Sequence, residues 1–266
     1  MAIQSPTPKM LAELDNGIGW ITFNNPERHN AMSMDMWQGL AEILRQLEVD
    51  SSLRVVILRG AGEKAFVSGA DISEFEKKRN SQEQRDAYEA AFDEAQNRLA
   101  HFPKPVIAMI QGYCVGGGLA LALNTDIRIA TDDSAFAIPA AKLGLGYGYE
   151  SIKTLCSIVG PSFAKDILFS ARFLKTEEAL RIGLVNQVVS RDQHMEKVLD
   201  YAVTVADNAP LTIKSIKAAV SEIVRDPGQA GPDDIAELVN DCFLSDDYKE
   251  GRQAFLEKRK PVFKGS

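Results

Sequence analysis

Two apolar runs along the chain are each followed by a glycine-bearing turn and then by a helix-like stretch. Val55-Val56-Ile57-Leu58 precedes Ser68-Gly69-Ala70-Asp71-Ile72, and Val106-Ile107-Ala108-Met109-Ile110 precedes Val115-Gly116-Gly117-Gly118-Leu119. Short continuous apolar runs read as strands covered on both faces. Their recurrence at a spacing of about fifty residues predicts stacked ββα units. Upstream, apolar runs flank Asn16-Gly17 and predict a β-hairpin over 11–23. Ser33 is placed to cap a helix whose apolar face is Met36, Trp37, Leu40, Ile43, Leu44 and Leu47.

Further on, a charged amphipathic helix is expected over 81–101, stopped by Pro103 and Pro105. A short helix over 119–123 and strands over 126–130 and 135–138 follow. Beyond residue 150 the pattern is mostly helical, with 184–189 as the one clear strand. From Pro210 onward no strand pattern remains: Ile213, Ile216 and Val220, then Ile235, Leu238 and Val239, then Phe255 recur at helical spacing. The Pro- and Gly-rich stretch 226–232 reads as a linker. This organisation predicts a core over 1–200 and a helical region over 201–266 that packs on a neighbouring subunit.

Composition narrows the function. The 266 residues are 45% hydrophobic and 25% charged, as in ordinary globular proteins. A net charge of −7 argues against a general nucleic-acid binder, as does the mixed-sign helix over 81–101. Lys77-Lys78-Arg79 reads as a solvated helix end. The three widely spaced cysteines fit a reducing, cytoplasmic setting. Cys114 lies just before the glycine triple, but the histidines are distant in sequence, so it reads as a buried hydrophobe. The first ten residues are polar and hold two prolines, unlike a signal peptide. Gln111 and three consecutive glycines interrupt the apolar stretch 106–123, which reads as buried core; a membrane span needs about 20 unbroken apolar residues. No metal-ligand spacing occurs.

The glycine turns carry the chemistry. Glycine lets backbone approach a ligand without a Cβ in the way. The first N–H groups of a helix have no intrahelical partner. Two such turns facing one another make an oxyanion hole, with two backbone donors aimed at one carbonyl oxygen.

These segments occur with Asn24-Asn25-Pro26, Asn30-Ala31-Met32, Phe66-Val67, Phe102-Pro103-Lys104-Pro105, Gln111-Gly112, Asp126-Ile127-Arg128-Ile129-Ala130, the run 179–185, and 255–263. Together they resemble the enoyl-CoA hydratase/isomerase (crotonase) superfamily over nearly the whole chain. The resemblance implies an α/β fold, the crotonase/ClpP-like ββα superhelical spiral with a C-terminal helical region. It also implies an acyl-CoA substrate, no cofactor beyond the coenzyme A moiety of that substrate, no nucleic-acid or membrane partner, and a homotrimer or dimer of trimers. The oxyanion donors would be the amides of Ala70 and Gly117. Ser68, Ala70, Asp71 and Ile72 would line the adenine pocket, and Arg28 and Ala31 would lie along the CoA chain. Lys258 and Phe263 would reach the CoA of the same or an adjacent subunit, a solvated basic tail being the alternative for Lys258.

The chain also departs from that family. The hydratases carry glutamates where this chain has Ala120 and Ala140. In the loop 143–150, two tyrosines and Glu150 stand where the hydratases have a Gly- and Pro-rich segment. Tyr147 is a candidate hydrogen-bond donor and proton source. Glu150, if buried among apolar groups, is a candidate acid or base; the plainer alternative is an exposed acid in the first turn of a helix. The Tyr147 segment resembles that of the superfamily's methylmalonyl-CoA decarboxylase, which however has histidine in place of Ala70. The sequence thus points to a CoA-thioester enzyme that stabilises an enolate. Decarboxylase, isomerase or hydrolase chemistry is favoured. A weak enoyl-CoA hydratase or a non-catalytic CoA-binding subunit are the alternatives.

Overall fold

The computed structural model describes residues 3–71, 81–224 and 231–266. Strands β1 (Met10–Asp15) and β2 (Ile18–Phe23) form the expected antiparallel hairpin around Asn16-Gly17. Helix α1 (Met34–Glu48) buries all six residues of its apolar face. Ser33 precedes α1 but does not cap it: its hydroxyl donates to the Asp35 carboxylate and receives Lys9 Nζ at 3.2 Å. A nearby carboxylate and ammonium outcompete the helix amides for that oxygen.

Strands β3 (Val55–Gly60), β4 (Ala65–Val67), β5 (Val106–Ile110), β6 (Tyr113–Val115), β7 (Ile127–Thr131) and β8 (Ala135–Ala137) supply the repeated parallel pairs. With β9 (Leu174–Lys175) and β10 (Gln187–Val189) they make two sheets, ordered β1-β2-β3-β5-β7-β10 and β4-β6-β8-β9. In β3, Val56 and Leu58 face the core beneath α1, while Val55 and Ile57 face a second cluster with Val198 and Ala202 of α7 (His194–Ala206). Both faces are covered, so the strands read as continuous apolar runs. The strand expected over 184–189 is shorter. The amides of Leu184 and Val185 bond the Ala179 carbonyl and close the turn after α6 (Thr176–Arg181). The two-residue β9 carries too little pattern to be read from sequence.

Helix α2 (Gln82–Ala100) starts at Ser81, whose hydroxyl accepts from the Gln84 amide at 3.2 Å. Helix α3 (Gly117–Leu123) begins inside the glycine triple; α4 (Ala140–Leu143) and α5 (Tyr149–Ser170, broken by a kink at Gly160-Pro161) follow. Residue 200 falls inside α7, which packs on the sheet on both sides of that position. Beyond it lie α8 (Pro210–Val224), α9 (Pro232–Leu244) and α10 (Asp246–Glu257). The buried Asp247 carboxylate accepts the Lys264 and Gly265 amides at 2.7 and 2.8 Å and pins the tail. Among the described residues, no helix is long and apolar enough to cross a membrane. Most of the expected linker, and Lys77-Lys78-Arg79, lie outside the described residues.

Candidate active site

The two glycine turns meet. Met32 bridges Ala70: the Met32 amide donates to Gly69 O at 2.8 Å and the Asp71 amide donates to Met32 O at 2.9 Å. The Ser68 amide donates to His29 O at 3.1 Å, and the Ser68 hydroxyl reaches Arg28 O at 3.4 Å. The loop 28–32 therefore lies along 68–71. On the other side, the Gly116 amide donates to Ala137 O at 2.8 Å, and Gly116 O accepts from Ala120. These bonds do not use the amides of Ala70 and Gly117. Among the described residues, neither the Ala70 nor the Gly117 N–H has an acceptor, and both residues are only half-buried.

Glycine is required at two of these turns by conformation. Gly69 has φ 117° and Gly116 has φ 54° with ψ −118°, regions that side-chain-bearing residues avoid. Gly118 is required by space, because a Cβ there would lie 2.2 Å from Val67 O. Gly117 is different. A Cβ there would make ordinary contacts, 3.6 Å from Trp37 Cζ2 and 4.0 Å from the Ala70 amide nitrogen. The space a Gly117 side chain would fill is thus the space beside the Ala70 donor.

Asn30 holds the arrangement and was not singled out from sequence. Its buried amide donates to Ala61 O and Ala65 O at 2.9 and 2.8 Å, and its oxygen accepts from the Asn25 amide at 3.0 Å. The signal in the sequence was an asparagine directly before Ala31-Met32, a residue type that tolerates the left-handed region it adopts at φ 56°.

Of the expected CoA contacts, Arg28, Ala31, Ser68 and Asp71 come together beside Ala70. Arg28 is exposed and Ala31 nearly buried. The amides of Ser68 and Asp71 are already committed, so these two residues offer a ligand their other atoms. Ile72 lies outside the described residues. Lys258 is exposed at the end of α10, with φ 55°. Phe263 packs against Gly251, in an apolar groove of about 660 Å³ shared with Phe243, Tyr248 and Phe255. No described contact brings either residue to Ala70 within one chain.

Ala120 and Ala140 are 4% and 8% exposed. The Tyr147 ring packs on the core, and its hydroxyl is enclosed without a partner among the described residues. Burial pushes the Tyr147 phenol above its ordinary value, and the neighbouring Cys114 adds to the shift. Cys114 is fully buried, donates to Gly118 O at 3.6 Å, and is likewise pushed up by burial. A thiol held protonated is no nucleophile. Glu150 is placed otherwise. Its side chain is 75% exposed, pairs with Lys153 at 3.5 Å, and borders a polar groove with Asp93, Gln96, Asn97 and Asn124. The apolar burial on which an acid or base role was conditioned is absent, and the placement is that of an exposed acid in the first turn of α5. Among the described residues, no cluster of three or more His, Cys, Asp or Glu is arranged to hold a metal ion.

Two half-buried backbone donors without acceptors among the described residues, the Ala70 and Gly117 amides, thus lie side by side just after β4 and β6. The sequence pattern of the Enoyl-CoA hydratase/isomerase family matches residues 13–266, and the chain belongs to that family. It is 36% identical to a short-chain-enoyl-CoA hydratase of Clostridium acetobutylicum over 251 residues, covering 94% of this chain and 95% of that one. It is 32% identical to an (E)-benzylidenesuccinyl-CoA hydratase of Thauera aromatica over 260 residues, covering 96% and 98%. Its fold is similar to the crystal structure of an enoyl-CoA hydratase/carnithine racemase from Magnetospirillum magneticum. That match has a TM-score of 0.93 and 38% identity, and covers 98% of this chain and 97% of the other. The crotonase fold with a C-terminal helical region is thereby established.

Proposed function

We propose that this protein acts on acyl-CoA thioesters by stabilising an enolate between the Ala70 and Gly117 amides, with decarboxylation, isomerisation or thioester hydrolysis favoured over hydration. The observation that carries the reading is the pair of unpaired amides at one notch, one of them on a glycine whose missing side chain leaves the notch open. Removing one oxyanion donor typically costs about 10²–10³ in rate. Hydration also needs a carboxylate to activate water and an acid to protonate Cα. Each such group contributes about 10²–10⁴-fold, or roughly 3–5 kcal/mol of barrier. Ala120 and Ala140 supply neither. The names of the hydratase relatives support the CoA-thioester class and keep weak hydration as the second reading.

Decarboxylation needs the least from side chains. The Cα–carboxylate bond breaks, CO₂ leaves, and the electron pair moves onto the thioester oxygen held by the two amides. Protonation at Cα then returns the ketonic thioester. Tyr147 is the proposed proton source. An α-carbanion of a thioester is far more basic than a phenolate, so a phenol with a raised pKa still protonates it. Water would restore the phenol. This chemistry requires no cofactor beyond the CoA of the substrate.

Exposed apolar side chains on α9 and α10 (Phe243, Leu244, Phe255 and Leu256) support assembly as a homotrimer or dimer of trimers. The test is a mass-spectrometric screen of acyl-CoAs, with malonyl, methylmalonyl and crotonyl thioesters included. Loss of CO₂, isomerisation or release of CoA is expected, with crotonyl-CoA hydrated slowly. Hydration of crotonyl-CoA at an ordinary hydratase rate overturns the reading, and binding without any turnover reduces the protein to a CoA-binding subunit.

A further inference from the structure

We infer that Trp37 is a positioning residue for the oxyanion hole, setting the distance between its two donors from the side of Gly117 on which a Cβ would stand. The inference rests on the proposed role of the Ala70 and Gly117 amides.

One short segment touches both donors. Met32 brackets Ala70 through two backbone hydrogen bonds with its neighbours Gly69 and Asp71, of 2.8 and 2.9 Å. Helix α1 begins two residues later, and its first turn carries the Trp37 indole to within 3.6 Å of the point where a Gly117 Cβ would stand. The Ala70 amide nitrogen lies 4.0 Å from the same point. Trp37 therefore bounds the space beside the Ala70 donor that a Gly117 side chain would fill.

The indole itself is fixed. It is fully buried, donates from Nε1 to the Tyr88 hydroxyl at 2.9 Å, and meets the Phe92 ring edge-on at a centroid distance of 5.0 Å. Tyr88 and Phe92 both sit on α2, so α2 sets the depth of the indole and the indole backs the first residue of α3. A fully apolar core residue would need no hydrogen-bond partner. The Trp37–Tyr88 bond fixes the ring's rotation as well as its burial. Reaction rates respond steeply to such placement, since a shift of about 1 Å can cost on the order of 10²-fold.

The experiment uses a dimethylaminocinnamoyl thioester of CoA, whose absorption moves to longer wavelength when its carbonyl is polarised. Trp37→Phe and Tyr88→Phe are compared with Ile43→Ala, a buried change on α1 that serves as the stability control. Trp37→Phe is expected to bind the probe with near-normal affinity and to lose at least half of its red shift, with kcat falling about 10-fold or more and KM little changed. Tyr88→Phe loses part of the shift, because the ring stays packed while its rotation is freed. Ile43→Ala lowers the melting temperature and keeps the full shift. A folded Trp37→Phe with the full shift overturns the proposal, as does an Ile43→Ala that loses as much shift as Trp37→Phe. A wild-type protein that binds the probe without any shift overturns the oxyanion reading itself, a failure distinct from these two.

Discussion

Around Ala70 and Gly117 many of the neighbouring backbone groups are taken. Met32, Ser68, Asp71, Gly116 and Ala120 all spend their amides on the frame, and the Asn30 side chain ties the adjoining loop at three points. Around Tyr147 the arrangement is loose. Gly144, Gly146 and Gly148 have open space where side chains would be, Leu143, Leu145 and Tyr149 are exposed, and one buried phenol anchors the segment. The frame can hold a charge because it need not reorganise when the charge forms. On the proposed function, the frame would hold the enolate charge and the Tyr147 loop would supply the proton, so the two tasks would fall on different stretches.

The sharpest test of the frame compares two adjacent glycines. Gly118→Ala puts a methyl group 2.2 Å from Val67 O and 2.7 Å from Val67 Cβ. Backbone has to move, and a loss of about 3 kcal/mol or complete failure to fold is expected. Gly117→Ala meets only ordinary contacts and sits at the first position of α3, so denaturant unfolding should match the wild type to within about 1 kcal/mol. Its methyl group occupies the space beside the Ala70 donor, so kcat should fall by about 10²–10³. Wild-type turnover in a folded Gly117→Ala would remove the frame from the mechanism.

The loop is tested by Tyr147→Phe. An enclosed hydroxyl without a partner costs about 1–3 kcal/mol. Removing it should leave the urea midpoint equal to or higher than that of the wild type. If the phenol supplies the proton, kcat should nonetheless fall by about 10²-fold. Gain in stability with loss of activity marks a group kept for function. Loss of both would make Tyr147 a packing residue.

How much of this was legible in the sequence follows the same division. The frame was readable because backbone chemistry leaves a signature in glycine: Gly69, Gly116 and Gly118 each sit where a Cβ is strained or excluded, so the motif encodes the geometry. The hairpin, α1 and α2 were readable because turn residues and apolar spacing act locally. The cap at Ser33 was misread because its partners, Lys9 and Asp35, arrive through the fold. Glu150 was ambiguous because burial is a property of neighbours 50 residues away on α2, which spacing along the loop does not contain. Trp37 read as one more core residue for the same reason. Its contact with Gly117 spans 80 positions, and no local pattern distinguishes it from Leu40 or Leu44.

A titration sharpens the contrast further. The folded Tyr147 phenol sits above the ordinary value of 10.0, so the fold favours the neutral form. That contribution is fully present below about pH 10. As pH rises past it the unfolded chain ionises first, and stability falls by up to about 1.4 kcal/mol per pH unit. Cys114, also pushed up by burial, adds a similar loss starting near its ordinary value of 9.0. The difference between wild type and Tyr147→Phe isolates the tyrosine. Their urea midpoints should run parallel from pH 7 to 9, and the wild type should lose ground only above about pH 10. Parallel curves to pH 11 would show that the phenol is not shielded from water in solution.

The smallest expected effect belongs to Glu150→Gln. The Glu150–Lys153 pair is 3.5 Å long with the carboxylate 75% exposed, and such pairs contribute about 0–1 kcal/mol. The acid also lies in the first turn of α5, where a negative charge is worth only a few tenths to about 1 kcal/mol. Stability should therefore drop by less than about 1 kcal/mol, and kcat should stay within about two-fold of wild type. Because Tyr147 and Glu150 lie only three residues apart, a loop that turned inward on binding substrate would carry both toward the notch. A loss of ten-fold or more in kcat for Glu150→Gln, with unchanged unfolding, would demonstrate that movement. The open side of the comparison would then hold two proton-handling groups, and the space around Gly144, Gly146 and Gly148 would be the clearance for closure.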